Sequence, residues 1–162
     1  MSEPPRRETG SRVSSIGWNI RNTHRLFVQT LHPLIAEHMP NVSHWYYMRV
    51  LWEEDGITQL ELSKRVGITP ATAVPALKSM EKHGLIARAQ DSRDRRRINV
   101  YLTKLGRSLR QDLQPKALKL NDIAIDGLSP EDVAVFERVL VGINSNLRAL
   151  LEKNGPVDDD TE

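Results

Sequence analysis

Apolar residues recur along this chain at two periods, and the changes between them mark out its elements. From about Val13 to Glu37, the residues Ile16, Ile20, His24, Phe27 and Leu31 follow a 4-4-3-4 spacing that places them on one helical face. Pro33 removes a backbone donor and predicts a kink or frayed last turns. Pro40-Asn41 marks a turn, Ser43 is placed as the N-cap of a second helix through His44, Tyr47, Met48 and Leu51, and Asp55-Gly56 ends it.

Thr58-Gln59-Leu60-Glu61 has the form of a capping box, in which the Thr hydroxyl and the Glu carboxylate each satisfy an orphan N–H. The short helix it opens, Gln59 to Val66, stops at Gly67. Thr69 then caps a further helix with Pro70 at its first position, where a missing N–H costs nothing, and Gly84 closes it after about His83. Two short helices joined by a Gly-containing turn make a helix-turn-helix. On the second of these, Ala71, Thr72, Pro75, Ala76 and Ser79 are expected outward and Val74, Leu77 and Met80 inward.

Immediately afterwards the period drops to two. Leu85 to Gln90 and Ile98 to Leu102 read as strands, joined by Asp91-Ser92-Arg93-Asp94-Arg95-Arg96-Arg97. Seven residues are too many for a tight hairpin, and a connection of this kind usually carries function. Thr103 caps a long helical segment with Leu105, Leu109, Leu113, Leu120 and Ile123 on its stripe and Pro115 as an expected kink. Ser129-Pro130-Glu131-Asp132 opens a last helix whose apolar face is Val133, Phe136, Val139, Leu140, Ile143, Leu147, Leu150 and Leu151.

The fold class is therefore mainly α with a small β-hairpin wing, a winged helix-turn-helix between N- and C-terminal helices. The organisation expected is a disordered segment over 1–12, helices over 13–54, the winged helix-turn-helix over 55–102, further helices over 103–151 and an acidic, disordered tail over 152–162.

Composition narrows the function. The chain has 162 residues and no cysteine, which rules out a disulfide scaffold, a thiolate nucleophile and a Cys-ligated zinc site. No apolar run is long enough to span a bilayer, and the Pro- and Arg-rich start has no apolar stretch of a secretory leader, so a cytoplasmic protein without a membrane partner is expected. A net charge of +2 hides an asymmetry: residues 59–110 carry 12 Lys+Arg against 4 acids, and residues 111–162 carry 5 against 11. Positive charge gathered around the hairpin points to a polyanion.

The run from Leu85 to Gly106, LIARAQDSRDRRRINVYLTKLG, resembles the wing signature of the MarR-type (multiple antibiotic resistance regulator) family, and element order resembles that family from about residue 13 to 151. The resemblance implies a homodimer whose first and last helices intertwine, so that 13–54 and 103–151 are dimerisation helices and two winged helices read the half-sites of a near-palindromic operator. It also implies that Asp94 braces the wing and Arg96 enters the minor groove. One stretch departs from the pattern: family recognition helices usually carry Ser, Arg or Asn where this chain has Thr72-Ala73-Val74-Pro75-Ala76. Without cysteine, peroxide sensing through a thiolate is excluded.

The residues expected on double-stranded DNA are Thr69, Pro70, Ala71, Thr72, Pro75, Lys78 and Ser79 of the helix and Arg93, Asp94, Arg95, Arg96 and Arg97 of the wing. Arg at a hairpin tip suits the negative potential of a narrow minor groove. Small apolar groups suit thymine methyls, and the free N–H groups around Thr69 suit a phosphate. Lys64, Arg65 and Lys82 are further phosphate contacts. Against this stand a merely solvated turn and a purely structural helix.

Six of the eight aromatics lie within residues 18–52. By the resemblance, this stretch lines a cleft for a small-molecule effector, an aromatic carboxylate or a phenol, with Trp18, Arg21, His24, Arg25, His44, Trp45 and Tyr47 as candidate contacts. The alternative for each is an ordinary core or surface position. His32, His38 and His44 are spaced by six, which is no metal-ligand pattern, and no cofactor is implied. Paired carboxylates, Ser-His-Asp, Gly-rich phosphate loops and HExxH are missing from the sequence, so no catalytic residues are assigned. The reading is a ligand-released transcriptional regulator, a repressor. The alternative is a sequence-tolerant architectural DNA binder without an effector.

Overall fold

The computed structural model describes residues 15–154; the expectations for 1–12, for Val13 and Ser14, and for the tail beyond Asn154 lie outside it. Its elements are α1 (Ile16–Ile35), α2 (Ser43–Glu53), α3 (Gln59–Val66), α4 (Pro70–Lys82), β1 (Ile86–Gln90), β2 (Ile98–Leu102), α5 (Lys104–Ala124) and α6 (Pro130–Asn154). The chain divides into one compact unit through Leu120 and a second from Asn121.

Local chemistry sets most of these boundaries. The Ser15 hydroxyl accepts the Trp18 N–H, so α1 starts later than the periodicity implied, and it passes through Pro33 to end at Ile35. Thr58, Thr69, Thr103 and Ser129 cap α3, α4, α5 and α6 through their side-chain oxygens. Only half of the expected capping box forms, because the Glu61 carboxylate accepts from Arg65 Nε at 2.8 Å instead of reaching back. Ser43 does not cap α2. The Asn41 side chain does that work by accepting the Ser43 N–H at 2.8 Å, an Asx turn that competes well at a Pro-Asn corner. Gly67 and Gly84 take left-handed conformations, with φ of 84° and 68°, where α3 and α4 end. Helix α5 continues through Pro115, and α6 runs past Leu151 to Asn154, into the segment expected as tail.

The core of the first unit is built where α1's C-terminal half, α2, α3, α4, the hairpin and the start of α5 converge. Leu31, Ile35, Met48, Leu51, Leu62, Leu77, Met80, Leu85, Val100 and Leu113 are its buried members. Strands β1 and β2 are antiparallel, in register from Ile86 opposite Leu102 to Gln90 opposite Ile98. A third short edge, missed by the sequence reading, joins them: Val100 donates to the Ile57 carbonyl at 2.9 Å, Gly56 donates to the Val100 carbonyl at 3.0 Å, and Thr58 bridges Asn99. The hairpin is thereby tied to the chain that enters α3.

Gly106 marks the tightest packing. Its carbonyl accepts the buried Trp52 indole N–H at 2.8 Å, and a Cβ on it would run into the Leu85 carbonyl. Only hydrogen fits there, so α5 can begin directly under the hairpin. In the second unit, the stripe read on α6 is mostly open: Phe136, Val139, Leu147, Leu150 and Leu151 are exposed, and Val133, Leu140 and Ile143 are half-buried.

Candidate nucleic-acid interface

Helix α4 has two faces of opposite character. Ala73, Leu77 and Met80 are buried, whereas Pro70, Ala71, Thr72, Pro75, Lys78 and Lys82 are exposed. The phase differs slightly from the sequence reading. Ala73 occupies the fully buried position expected of Val74, which is half-buried, and Ala76 and Ser79 are half-buried rather than open. A helix rich in small apolar residues does not fix its phase by hydrophobicity alone. At the N-terminus, the Thr69 hydroxyl accepts the Thr72 N–H at 3.2 Å and lies 2.8 Å from the Thr72 hydroxyl. Thr72 is therefore partly committed inside its own helix.

The wing is organised by a carboxylate that sequence reasoning did not single out. Asp91 Oδ1 accepts the backbone N–H of Arg93 at 2.8 Å and of Asp94 at 3.1 Å, while Oδ2 accepts from Asn99 Nδ2 at 3.1 Å. These donors, the Arg93 amide first, hold the Asp91 carboxyl below the usual carboxylate range, with help from the Arg97 charge. Asp94 makes a smaller turn by accepting the Arg96 N–H at 3.0 Å, so the brace expected from Asp94 alone is shared, with Asp91 holding more of it. The Asx-turn spacing from Asp91 to Arg93 and Asp94 was the signal that could have revealed it.

This scaffold leaves the guanidinium groups outside. Arg93, Arg95, Arg96 and Arg97 are all exposed, and among the described residues none of their side chains has a hydrogen-bond or salt-bridge partner. Arg65, Arg88 and Arg107 differ, being paired with Glu61 and Glu54, with Glu81, and with Asp55 respectively. Lys64 is exposed on α3, but Arg65, expected on phosphate, is held by its two carboxylates. Asp55 is a further residue missed: it accepts the Leu102 N–H through Oδ1 and Arg107 through Oδ2, both at 2.7 Å, tying the wing's base to α5.

The candidate effector residues fall into two groups. On α1, Trp18, Arg21, His24 and Arg25 are exposed: Arg21 lies over the Trp18 ring at 5.9 Å, Arg25 donates to Asn22 and Gln29, and His24 Nε2 is 3.3 Å from the Tyr46 hydroxyl. On α2, His44, Trp45 and Tyr47 are buried; Trp45 packs edge-on against Trp52 at 5.5 Å, and burial pushes the Tyr47 phenol up. His44 is wholly enclosed, neither ring nitrogen has a hydrogen-bond partner among the described residues, and the His83 ring at the end of α4 is 6.2 Å away. Burial, and then the His83 charge, lower its pKa. His24 and Tyr46 are thus the α1–α2 contact in this region, and Tyr46 joins the candidates through it. His38 lies 3.8 Å from Asp112, and among the described residues no group of three or more His, Asp or Glu side chains is placed to hold a metal ion. No helix among them is long and apolar enough to cross a membrane.

Comparison with known proteins agrees with this geometry. The family model described as MarR family matches residues 41–98. The HTH-type transcriptional regulator TtmR of Methylorubrum extorquens (strain PA1) is 30% identical over 110 residues, which are 68% of this chain and 56% of the relative, so the chain spans little more than half of that protein's length. The transcriptional regulator AdcR of Streptococcus pneumoniae serotype 2 (strain D39 / NCTC 7466) is 32% identical over 106 residues, 63% of this chain and 72% of that one. Among solved structures, the transcriptional regulator SlyA superposes with a TM-score of 0.79 at 22% identity, covering 88% of this chain and 100% of its own. Reduced AbfR bound to DNA gives 0.68 at 23% identity, over 85% and 92%. PcaV of Streptomyces coelicolor, in complex with its natural ligand, gives 0.75 at 19% identity, over 86% and 98%. With a winged helix-turn-helix, an arginine-tipped wing and relatives of this kind, the chain belongs to the MarR family of DNA-binding transcriptional regulators.

Proposed function

We propose that this protein is a cytoplasmic, homodimeric repressor that binds a near-palindromic operator and leaves it when a small aromatic carboxylate or phenol binds. The observation that carries the DNA-binding part is the wing tip: four guanidinium groups without a partner among the described residues, on a loop already fixed by Asp91. Such a loop presents charge to a duplex with little further ordering. Arg96 is assigned to the minor groove, Arg93, Arg95 and Arg97 to phosphates, and the exposed face of α4 (Ala71, Thr72, Pro75 and Lys78), with half-buried Ser79 beside it, to the major groove. AbfR, which shares the fold, has been solved on DNA.

The dimer is inferred from apolar surface that a lone chain leaves wet. Ile16 and Ile20 on α1 are exposed, as are Phe136, Val139, Leu147, Leu150 and Leu151 on α6. An apolar stripe of this length on a long helix is the pattern of a helical interface. Two winged helices so joined would meet half-sites about 10 base pairs apart. Effector release is supported by PcaV, which was solved with its natural ligand, and by the Trp18, Arg21, His24 and Tyr46 grouping, where rings and cations lie together. An effector that prefers the dimer form with the wrong half-site spacing would lower operator occupancy by population shift.

A gel-shift titration on the protein's own upstream region, with the mass in solution measured alongside, tests this reading. A dimer that prefers that region over random duplex by roughly 10³ or more supports it. The small, apolar outer face of α4 favours one other reading, an architectural binder, which would bind both DNAs alike.

A further inference from the structure

Helix α4 contains a proline where a recognition helix should be continuous. Pro75 lies inside Pro70–Lys82, five residues past the first position, and its nitrogen carries no hydrogen. The bond that a residue there would return to the carbonyl four positions earlier is therefore not made, and the carbonyl concerned belongs to Ala71. Ala71, Pro75 and Lys78 succeed one another at i, i+4 and i+7 on the exposed face, opposite buried Ala73, Leu77 and Met80. A proline ring at such a position crowds the carbonyl four residues earlier and bends a helix away from it.

We infer that the Ala71 carbonyl, released by Pro75, is a base-reading acceptor of this protein and takes a hydrogen bond from an exocyclic amino group in the major groove. Only adenine N6 and cytosine N4 offer such a donor there. A backbone carbonyl adds an acceptor to a helix face that offers few. Ala71 and Pro75 have no polar side-chain atoms, Lys78 is a donor that cannot accept, the Thr72 hydroxyl is already engaged with Thr69, and Ser79 is half-buried. The methyl of Ala71 and the ring of Pro75 flank the acceptor with apolar surface. A base pair that offers an amino group beside a thymine methyl would satisfy both.

This rests on the DNA-binding reading above, so the test separates the two. Full-length wild-type protein and Pro75→Ala are each used to select sites from a random duplex library. Alanine favours the helix interior, so this variant keeps the fold while closing the Ala71 bond. The wild type should enrich adenine or cytosine at one position per half-site, and Pro75→Ala should lose that preference together with any preference for a thymine methyl that the Pro75 ring contacts. Replacing the enriched adenine by purine, or the enriched cytosine by 2-pyrimidinone, removes only the amino group and says which base is read. It should weaken wild-type binding roughly 5- to 10-fold, the size of a single base contact, and leave Pro75→Ala unchanged. Identical selected sites for the two proteins, or an amino deletion without effect on the wild type, overturns the inference and leaves the regulator reading standing. A wild type that enriches no sequence overturns both.

Discussion

Glu81, in the last turn of α4, and Arg88, in β1, are clamped together: Arg88 Nη2 and Nε donate to Glu81 Oε2 at 2.7 and 3.1 Å, and the Arg88 backbone N–H donates to Oε1 at 3.2 Å. The two elements proposed to approach DNA, α4 and the hairpin, are thus joined directly as well as through the core. Arg88 foremost holds the Glu81 carboxyl below its usual range, so the clamp's contribution is present at neutral pH and fades as pH falls through the lowered value. Because the Glu81 side chain is 39% exposed, the pair is worth modest stability, about 1 kcal/mol or less. Glu81→Gln should therefore unfold at nearly the wild-type denaturant concentration yet lose DNA affinity several-fold. A large stability loss without an affinity change would show that the pair is merely structural.

His44 gives the fold a defined weakness to acid. Its folded-state pKa is depressed, by burial first and by His83 second, so below about pH 6.5 the unfolded chain takes up a proton that the folded chain resists. Stability should fall as pH drops from the ordinary imidazole value toward the lowered one, and be fully present above it. Melting temperatures from pH 7.5 to 5 should decline less steeply in His44→Gln than in the wild type. Parallel curves for the two proteins would remove His44 from the account.

Gly106 should tolerate no side chain. A methyl there meets the Leu85 carbonyl, which is backbone and cannot swing aside, so Gly106→Ala should cost about 3 kcal/mol or more in chemical denaturation. The neighbouring substitution Leu105→Ala, at an exposed position of the same helix, should cost far less.

Asp91 should matter for binding and little for folding. Asp91→Ala removes the acceptor that gathers the Arg93 and Asp94 amides and Asn99. The free loop then has to be ordered on DNA, which should weaken affinity roughly 2- to 10-fold while the melting temperature stays close to wild type. Asp91→Asn, which keeps an acceptor, should fall between.

Much of this was legible in the chain because it is written in local chemistry. Thr58, Thr69, Thr103 and Ser129 announce four helix starts, and Gly67 and Gly84 announce two ends. The switch from helical period to alternation at Leu85 located the wing. What stayed hidden depends on partners distant in sequence or on geometry without a unique residue signature. The edge from Gly56 to Thr58 pairs with a strand more than forty positions away, and Asp55 reaches Leu102 and Arg107 across a similar gap. Ala73 took the buried position expected of Val74 because hydrophobicity alone does not fix the phase of a helix rich in small apolar residues. The arginines of the wing were plain; the carboxylate that arranges them was not, because Asp91 and Asp94 are the same residue type three positions apart and differ in the donors they meet, Arg93, Asp94 and Asn99 for one and Arg96 for the other.

If the exposed wing arginines engage a duplex, affinity must fall with salt in proportion to the phosphates they neutralise. Fluorescence anisotropy with the upstream region over a range of salt concentrations gives log K against log salt for the wild type and for Arg93→Ala, Arg95→Ala, Arg96→Ala and Arg97→Ala. Each lost phosphate contact should flatten the slope by about 0.9 per site, and Arg96→Ala should also narrow the margin over random DNA. Slopes indistinguishable from wild type in all four variants would contradict the account.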